Sequence, residues 1–164
     1  MGMGNYERVR HEFPPVYNEN SRILILGSLP SVKSREQMFY YGHPQNRFWK
    51  VIAGLTGASV PSTIPEKKAL LLAQGIAVSD VIAECDIIGS SDSSIRNVIP
   101  MDLQEILENA KIRQIYANGN TAKKLFERFQ QKSCQRDIIG LPSTSPANAA
   151  YSLDRLIEAW TCII

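Results

Sequence analysis

The sequence has few of the residues that build metal centres, disulfide frameworks or membrane spans. Its three cysteines, Cys85, Cys134 and Cys162, are odd in number and far apart, which argues against a disulfide framework and against a metal or iron–sulfur site. No apolar run approaches the roughly 20 residues of a membrane span, and the first residues lack the apolar core of a signal peptide. We therefore expect a cytoplasmic protein.

Several motifs for phosphate binding and nucleophilic catalysis are also missing. There is no GxGxxG and no GxxxxGK[ST], so dinucleotide-binding and P-loop proteins are excluded by the lack of a phosphate cradle. The only histidines are His11 and His43, and no acid–histidine–nucleophile pattern stands out. A net charge of +2 is too small to indicate a class of partner.

What remains is an ordinary globular composition with alternating strand and helix patterns. The 164 residues, 44% of them apolar, predict one domain over 1–164 with an extended, proline-containing arm over 1–21. Apolar runs predict strands over 23–26, 76–82, 112–117 and 137–141, and the polar stretch 84–97 is expected to be a loop. Helical spacing predicts helices over 46–57 and 63–74 and in three later segments, near 102–110, 122–129 and 153–160. The alternation predicts an α/β fold, a three-layer α/β/α sandwich around a central, mainly parallel four-stranded sheet.

The stretch from residue 22 to residue 49 is predicted to form the main part of a ligand-binding site. A buried strand ends in the small-residue loop 27–31, where a ligand can approach the backbone. Three aromatics, Phe39, Tyr40 and Tyr41, precede a run of polar residues that leads into a helix. Ligands of parallel sheets bind beyond the carboxyl ends of the strands, where this loop, Asp80, Asn118 and the loop 142–148 converge. An aromatic platform with amides, hydroxyls and backbone donors suits a flat, polar-edged base held by stacking.

Three segments of the sequence carry a family resemblance. They are Gly27-Ser28-Leu29-Pro30-Ser31, then Tyr41-Gly42-His43-Pro44-Gln45-Asn46-Arg47-Phe48-Trp49, then Leu141-Pro142-Ser143-Thr144-Ser145. Their order and approximate spacing resemble the uracil-DNA glycosylase superfamily. The Phe13–Tyr17 arm, the Tyr40–Trp49 segment and the Ser145–Ala149 ending most resemble its hypoxanthine-DNA glycosylase (DNA-deoxyinosine glycosylase) branch. The resemblance covers nearly the whole chain.

The resemblance implies roles for individual residues. Asn46 and Ser28 would be catalytic, and the third position of the G-x-x-P loop departs from the uracil-excising pattern: it is Leu29, where those relatives carry a water-activating Asp or Asn. The residues implied in base binding are Tyr41, Gly27, Leu29 and Asn118, and those implied in DNA binding are Ser31, His43, Ser143, Thr144, Ser145 and Asn148.

Each of these roles has a structural alternative that the sequence leaves open. Asn46 also suits the start of a helix, where asparagine caps well. Tyr41 also suits a core position beside Tyr40, and the serines of the loop 27–31 also suit a plain turn.

The implied reaction is hydrolysis of the N-glycosidic bond of a deaminated base, most closely hypoxanthine, in single- or double-stranded DNA. The matching motifs contain no lysine, so a monofunctional enzyme is expected, acting as a monomer without metal or cofactor. Two alternatives stay open: a mismatch-specific uracil-DNA glycosylase, and a non-catalytic nucleic-acid-binding domain on the same scaffold, which the Leu29 departure makes plausible.

Overall fold

The computed structural model describes residues 5–164, which form two sheets surrounded by helices. The strands are β1 (Glu7–Arg10), β2 (Ile23–Gly27), β3 (Ile76–Asp80), β4 (Ile82–Ile87), β5 (Arg96–Pro100), β6 (Gln114–Asn118) and β7 (Ile138–Leu141). The α-helices are α1 (Val32–Gln37), α2 (Phe48–Thr56), α3 (Ile64–Ala73), α4 (Gln104–Asn109), α5 (Asn120–Phe129), α6 (Gln131–Cys134) and α7 (Leu153–Ala159). Short 3₁₀ turns lie at Asp92–Ser94 and Trp160–Ile163.

Four strands build a parallel sheet in the order β3-β2-β6-β7. Every residue of β2 and β3 is buried, which explains why residues 23–26 and 76–78 are continuous apolar runs rather than alternating ones. The last two residues of β3, Ser79 and Asp80, are buried polar side chains. Side chains on one face of β2, Ile23 and Ile25, pack in a core with α2 and α7, whereas Leu24 and Leu26 pack in a second core with α4 and α5. The sheet is therefore the middle of three layers, and the predicted α/β/α sandwich is confirmed.

The second sheet is antiparallel, in the order β1-β4-β5, and the prediction of a loop over 84–97 is correct only for the middle of that stretch. Strands β4 and β5 overlap its two ends, and residues 88–95, which carry the serine-rich run, form the connection between them. The polarity of the strand residues belongs to the outer face of the sheet, where Arg8 binds Glu84 and Asp86 across the strands. The inner face buries Val9, Cys85 and other residues of a small third core. Register shifts in the β4–β5 pair break the two-residue alternation that would have revealed the strands.

The N-terminal arm is partly a strand of this second sheet, a feature that the prediction of an extended arm over 1–21 does not include; residues 1–4 of that range lie outside the described residues. Beyond β1, the arm is buried at Phe13 and Val16, and Val16 pairs with Val78 in an isolated antiparallel bridge. The His11 N–H donates to the Ala83 carbonyl at 2.8 Å. The arm thereby brings the His11 side chain under the end of β3.

The predicted strand over 76–82 ends earlier, at Asp80. The Val81 N–H donates to the Gly27 carbonyl at 2.8 Å, and the chain then turns into β4 of the other sheet. The helix predicted over 46–57 begins two residues later, at Phe48. In residues 5–164 no helix combines the length and apolar character that crossing a membrane requires.

Candidate active site

A cavity of about 480 Å³ opens where the carboxyl ends of the parallel strands meet. This volume is in the range of small-molecule sites. The lining comes from the loop after β2, the end of β3, the start of α5, the serine-rich turn 90–92 and the loop after β7. Among the described residues, the lining includes two carboxylates, Asp80 and Asp92, and no lysine, arginine or histidine.

One side of the cavity is a network of three side chains, Asn46, Asn118 and Thr144, which we call the amide wall. The Thr144 N–H donates to Asn118 Oδ1 at 3.0 Å, and Asn118 Nδ2 donates to Thr144 Oγ1 at 3.0 Å. The Thr144 hydroxyl donates in turn to Asn46 Oδ1 at 2.8 Å, an oxygen that also accepts the Phe48 N–H at 2.9 Å. Thr144 is fully buried.

The direction of every hydrogen bond in the amide wall is fixed by the backbone. A backbone N–H can only donate, so the Thr144 N–H identifies the Asn118 oxygen and the Phe48 N–H identifies the Asn46 oxygen. The Thr144 hydroxyl accepts from Asn118 and must therefore give its own proton to Asn46. Both donors converge on Asn46 Oδ1, which leaves the Asn46 NH₂ group as the part of that amide available to a ligand.

The other side of the cavity, which we call the floor, consists of Gly27, Tyr41 and Asp80, with His11 behind them. A Cβ atom on Gly27 would lie 2.5 Å from Asp80 Oδ1 and 3.1 Å from the Tyr41 hydroxyl, so a larger residue there would displace the Asp80 carboxylate. His11 Nε2 lies 2.8 Å from Asp80 Oδ2, and both side chains are almost completely buried.

Tyr41 is held in an unusual conformation on this floor. Its backbone has φ +52°, a left-handed value that is uncommon outside glycine and is found at functional sites. The ring stacks on Phe48 with centroids 4.1 Å apart and planes 20° from parallel. Burial, and next the Asp80 charge, raise the pKa of the Tyr41 phenol, so the hydroxyl stays protonated. Within residues 5–164 this buried hydroxyl makes no hydrogen bond of normal length and angle, although the Asn118 side chain lies close enough to oppose the rise in its pKa.

Comparison with known proteins gives a consistent family. The model of the uracil DNA glycosylase superfamily matches residues 14–162. The chain belongs to this superfamily. A protein of Methanosarcina acetivorans named hypoxanthine DNA glycosylase is 34% identical over 157 residues, which cover 94% of this chain and 98% of the relative. A protein of the same name from Methanosarcina barkeri is 37% identical over 86 residues, 52% of this chain and 54% of the relative.

A solved structure supports the fold. It is a solution NMR structure described as a candidate uracil DNA glycosylase from Methanosarcina acetivorans. It has a TM-score of 0.78 to this chain at 33% identity, covering 92% of this chain and 93% of the other. The resemblance to the uracil-DNA glycosylase superfamily seen in the sequence is thereby confirmed.

The structure brings most of the superfamily's implied site residues to the cavity. The lining includes Ser28, Leu29 and Ser31 from the first motif, Tyr41 and Asn46 from the second, Ser143, Thr144 and Ser145 from the third, and Gly27 and Asn118 from the strand ends. Their catalytic and binding roles stay predictions. His43 and Asn148 lie outside the lining.

Two of these residues, Leu29 and Ser31, also stabilise the fold, through contacts that the motifs do not indicate. Leu29 lines the cavity and also packs against the core of the antiparallel sheet. Ser31 caps α1, where its hydroxyl accepts the Ser34 N–H at 3.2 Å. Ser31 therefore has the structural role that the sequence left open, and a role in binding DNA stays a prediction.

The DNA contact implied for Thr144 does not fit its position. The residue is fully buried, and its N–H, carbonyl and hydroxyl all have partners inside the protein. The residue instead joins the loop after β7 to Asn46 and Asn118. His43 stabilises the turn in which it lies, because its Nδ1 accepts the Gln45 N–H at 3.1 Å.

Arg47 supports the site from behind, and the motif analysis did not single it out. Its guanidinium donates to the carbonyls of Ser145, at 2.9 Å, of Asn148, at 3.0 Å, and of Tyr151. The Arg47 N–H also donates to the Thr144 carbonyl at 3.0 Å. One residue next to Asn46 thus holds the whole loop after β7 in place. The adjacency of arginine to Asn46 in the motif was the only signal in the sequence.

His11 is the other residue that was missed, because nothing in its sequence neighbourhood marks it. It lies before the residues matched by the superfamily model and 69 positions from its partner Asp80. The described residues contain no cluster of three or more His, Cys, Asp or Glu side chains that could hold a metal ion.

Proposed function

We propose that this superfamily member is a monofunctional DNA glycosylase that hydrolyses the N-glycosidic bond of a deaminated base, with hypoxanthine in deoxyinosine as its main substrate. The family match over residues 14–162 and the relatives named hypoxanthine DNA glycosylase support this assignment. We further propose that it acts as a monomer, since one chain supplies the lining of the cavity. We also propose that it acts in the cytoplasm, on single- or double-stranded DNA.

The observation that carries the proposal is the fixed orientation of the Asn46 amide. Its oxygen accepts two donors of the protein, so its NH₂ group is the part left for a ligand in the cavity. Hypoxanthine has a carbonyl at C6 where adenine has an amino group. An NH₂ donor bonds the carbonyl and meets the amino hydrogens of adenine unfavourably.

The same donor assists the bond cleavage. As the C1′–N9 bond breaks, negative charge develops on the departing purine, and a preorganised donor stabilises it. The enzyme extrudes the nucleotide from the stack, which costs a few kcal/mol and least for a mispaired base. Tyr41, supported on one face by Phe48, supplies an aromatic surface for the extruded base. Water then adds to the cation-like sugar, and an abasic site remains.

The described lining of the cavity offers no lysine for a Schiff base with the sugar. A hydrolytic, monofunctional reaction is therefore proposed over a combined glycosylase and lyase reaction.

Incubation of the protein with oligonucleotides that carry one deoxyinosine, uracil or xanthine tests the proposal. Strand breakage after alkali reports the abasic site. We expect the fastest single-turnover release from deoxyinosine. Faster release of uracil would instead identify a uracil-type enzyme, and binding without release from any lesion would identify a non-catalytic DNA-binding domain.

A matched control separates excision from contamination by host glycosylases. Asn20→Asp changes an exposed asparagine in the turn before β2, at the opposite edge of the sheet from the cavity. This variant should cut like the wild type, whereas Asn46→Asp, prepared in the same way, should not.

A further inference from the structure

The cavity lining includes an exposed carboxylate, Asp92, that the mechanism above does not use. The two carboxylates of the lining differ in depth: Asp80 is 3% exposed and belongs to the floor, whereas Asp92 is open to solvent. Asp92 therefore lies toward the mouth of the cavity. An extruded nucleotide enters base first, because its sugar stays joined to the DNA backbone outside. The mouth is thus the part of the cavity that meets the sugar.

Asp92 lies in the connection between β4 and β5, residues 88–95, which we call the serine turn. The Ile88 N–H donates to the Ser94 hydroxyl at 2.9 Å, and that hydroxyl donates to the Ser91 carbonyl at 2.7 Å. The Ser94 N–H donates to the same carbonyl at 3.0 Å. These bonds hold the shape of the serine turn without using the Asp92 carboxylate.

Helix α1 fixes the serine turn beside the motif loop. The Ser90 hydroxyl accepts the Val32 N–H at 3.2 Å, and the Arg35 guanidinium donates to the Gly89 carbonyl at 3.1 Å. Because α1 follows directly after the loop 27–31, these two bonds tie the serine turn to the first motif. The serine turn therefore has a defined place at the cavity.

The Asp92 carboxylate has no cation beside it. Among residues 5–164 it forms no ion pair, and the described lining contains no lysine, arginine or histidine. Desolvation by the surrounding protein raises the pKa of the Asp92 carboxyl, and the nearby Thr121 hydroxyl opposes this rise. A higher pKa makes a carboxylate a better proton acceptor. Because the carboxyl is open to solvent, it is ionised at neutral pH.

This negative charge is unfavourable for DNA binding and favourable for the chemistry. DNA carries a negative phosphate at every nucleotide, so a carboxylate at the mouth repels it. During cleavage the electron pair of the C1′–N9 bond leaves with the purine, and the sugar becomes cation-like. A nearby anion stabilises the charge that the reaction creates. The loop 27–31 lines the same cavity with hydroxyls and backbone groups but contributes no charge.

We propose that Asp92 is a catalytic residue that stabilises the cation-like sugar and orients the attacking water. The water oxygen forms the new C1′–O bond, and one of its protons passes to the carboxylate and then to solvent. The departing purine anion takes a proton from solvent, so the products are hypoxanthine and an abasic sugar. The inference rests on the proposed function.

Asp92→Asn tests the inference by removing the charge with almost no change in shape. Single-turnover release of hypoxanthine should fall about 10- to 100-fold, at or below the lower end of the usual contribution of a positioned proton acceptor because Asp92 is exposed. Affinity for DNA with non-cleavable, 2′-fluorinated deoxyinosine should stay the same or rise, because a repulsive charge is gone. A residue that only bound DNA or stabilised the fold would not slow the reaction while preserving affinity.

A cationic sugar analogue measures the charge directly. The wild type should bind an oligonucleotide with a pyrrolidine in place of the sugar more tightly than one with a neutral tetrahydrofuran. In Asp92→Asn this preference should fall about tenfold. The matched control is Asp137→Asn, which makes the same change at an exposed position just before β7, at the amino end of the strand and away from the cavity. It should keep the wild-type rate and preference.

The outcomes separate the inference from the proposed function. Excision by Asp92→Asn at the wild-type rate, or an undiminished preference for pyrrolidine, would overturn the inference. So would a loss of affinity for the 2′-fluorinated DNA as large as the loss of rate. Failure of the wild type to release hypoxanthine would instead overturn the proposed function. If Asp92→Asn unfolds, Asp92→Ser, which matches the neighbouring serines, allows the same measurements.

Discussion

The two sides of the cavity differ in how completely their polar groups are satisfied. In the amide wall, Thr144 and Asn118 bond each other twice, and backbone N–H groups fix both ends of the network. On the floor, the Tyr41 hydroxyl and His11 Nδ1 are buried without partners in residues 5–164. Satisfied polar networks rigidify a site, whereas unsatisfied groups mark where a ligand completes the structure. The wall is therefore preorganised to position a ligand, whereas polar groups of the floor are satisfied only when the base binds.

The largest effect is expected at Asn46, the member of the wall whose NH₂ group makes no hydrogen bond to residues 5–164. Asn46→Asp keeps an oxygen for the Thr144 hydroxyl and the Phe48 N–H but replaces the NH₂ group by a second oxygen. Single-turnover excision of hypoxanthine should fall by at least about 10²–10³, the usual cost of losing one such donor. Thermal melting should remain close to that of the wild type, because the bonds to the helix start persist.

This variant also separates chemistry from capping. The N-cap position of α2 is Arg47, and Asn46 before it supports the helix start by accepting the Phe48 N–H. If Asn46 has only this supporting role, replacing it by alanine should cost about 0.5–2 kcal/mol of stability and leave excision intact. Excision by a well-folded Asn46→Asp protein at the wild-type rate would contradict the catalytic role.

Local motifs and apolar runs explain what the sequence could predict on both sides of the cavity. Asn46 and Tyr41 are found because they lie in one short motif whose residue types are themselves informative. The parallel sheet is found because Leu24 and its neighbours are buried on both faces and form a continuous apolar run.

Long-range pairs are what the sequence could not predict. His11 meets Asp80 across 69 positions, and Arg8 meets Glu84 across 76, through strands that are short, irregular and polar on one face. The spacing of apolar residues within a short segment does not indicate which distant segment that segment pairs with. The second sheet and the place of His11 behind Asp80 were missed for this one reason.

The second effect in size tests whether the wall orients Asn46. Thr144→Val keeps the shape of the side chain but leaves Asn118 Nδ2 and Asn46 Oδ1 each short of one partner. Buried groups left unpaired cost about 1–3 kcal/mol, and an amide freed to rotate presents the wrong atom for part of the time. We expect lower thermal stability and a loss of roughly tenfold in excision.

Thr144→Ser restores the hydroxyl and should recover most of the excision rate even if it melts below the wild type. A valine variant that melts early but excises at the normal rate would reduce Thr144 to a purely stabilising residue.

The third effect concerns the floor. Tyr41→Ala removes the ring that stacks on Phe48 and should lose about 1–3 kcal/mol of base stacking, measured as affinity for deoxyinosine DNA. Tyr41→Phe keeps the ring and should stay active. It also removes a hydroxyl without a partner in the described structure, so its melting temperature should not fall. Normal excision and affinity in a folded Tyr41→Ala protein would exclude stacking.

The smallest effect on chemistry is expected at Leu29, where the uracil-excising pattern has a water-activating residue. Leu29 packs on the core of the antiparallel sheet and thus ties the motif loop to the sheet that continues into His11. Leu29→Ala should cost about 1–2 kcal/mol of stability, less than a fully buried leucine because the side chain is half-buried. Excision should change by no more than a few-fold, since the side chain has no polar atom to lose. Thermal melting beside single-turnover excision measures both. If the variant melts like the wild type but loses more than about tenfold in rate, a difference of about 1.4 kcal/mol in the barrier, Leu29 contacts the reacting nucleotide. The motif loop would then belong to the chemistry of the floor as well as to its support.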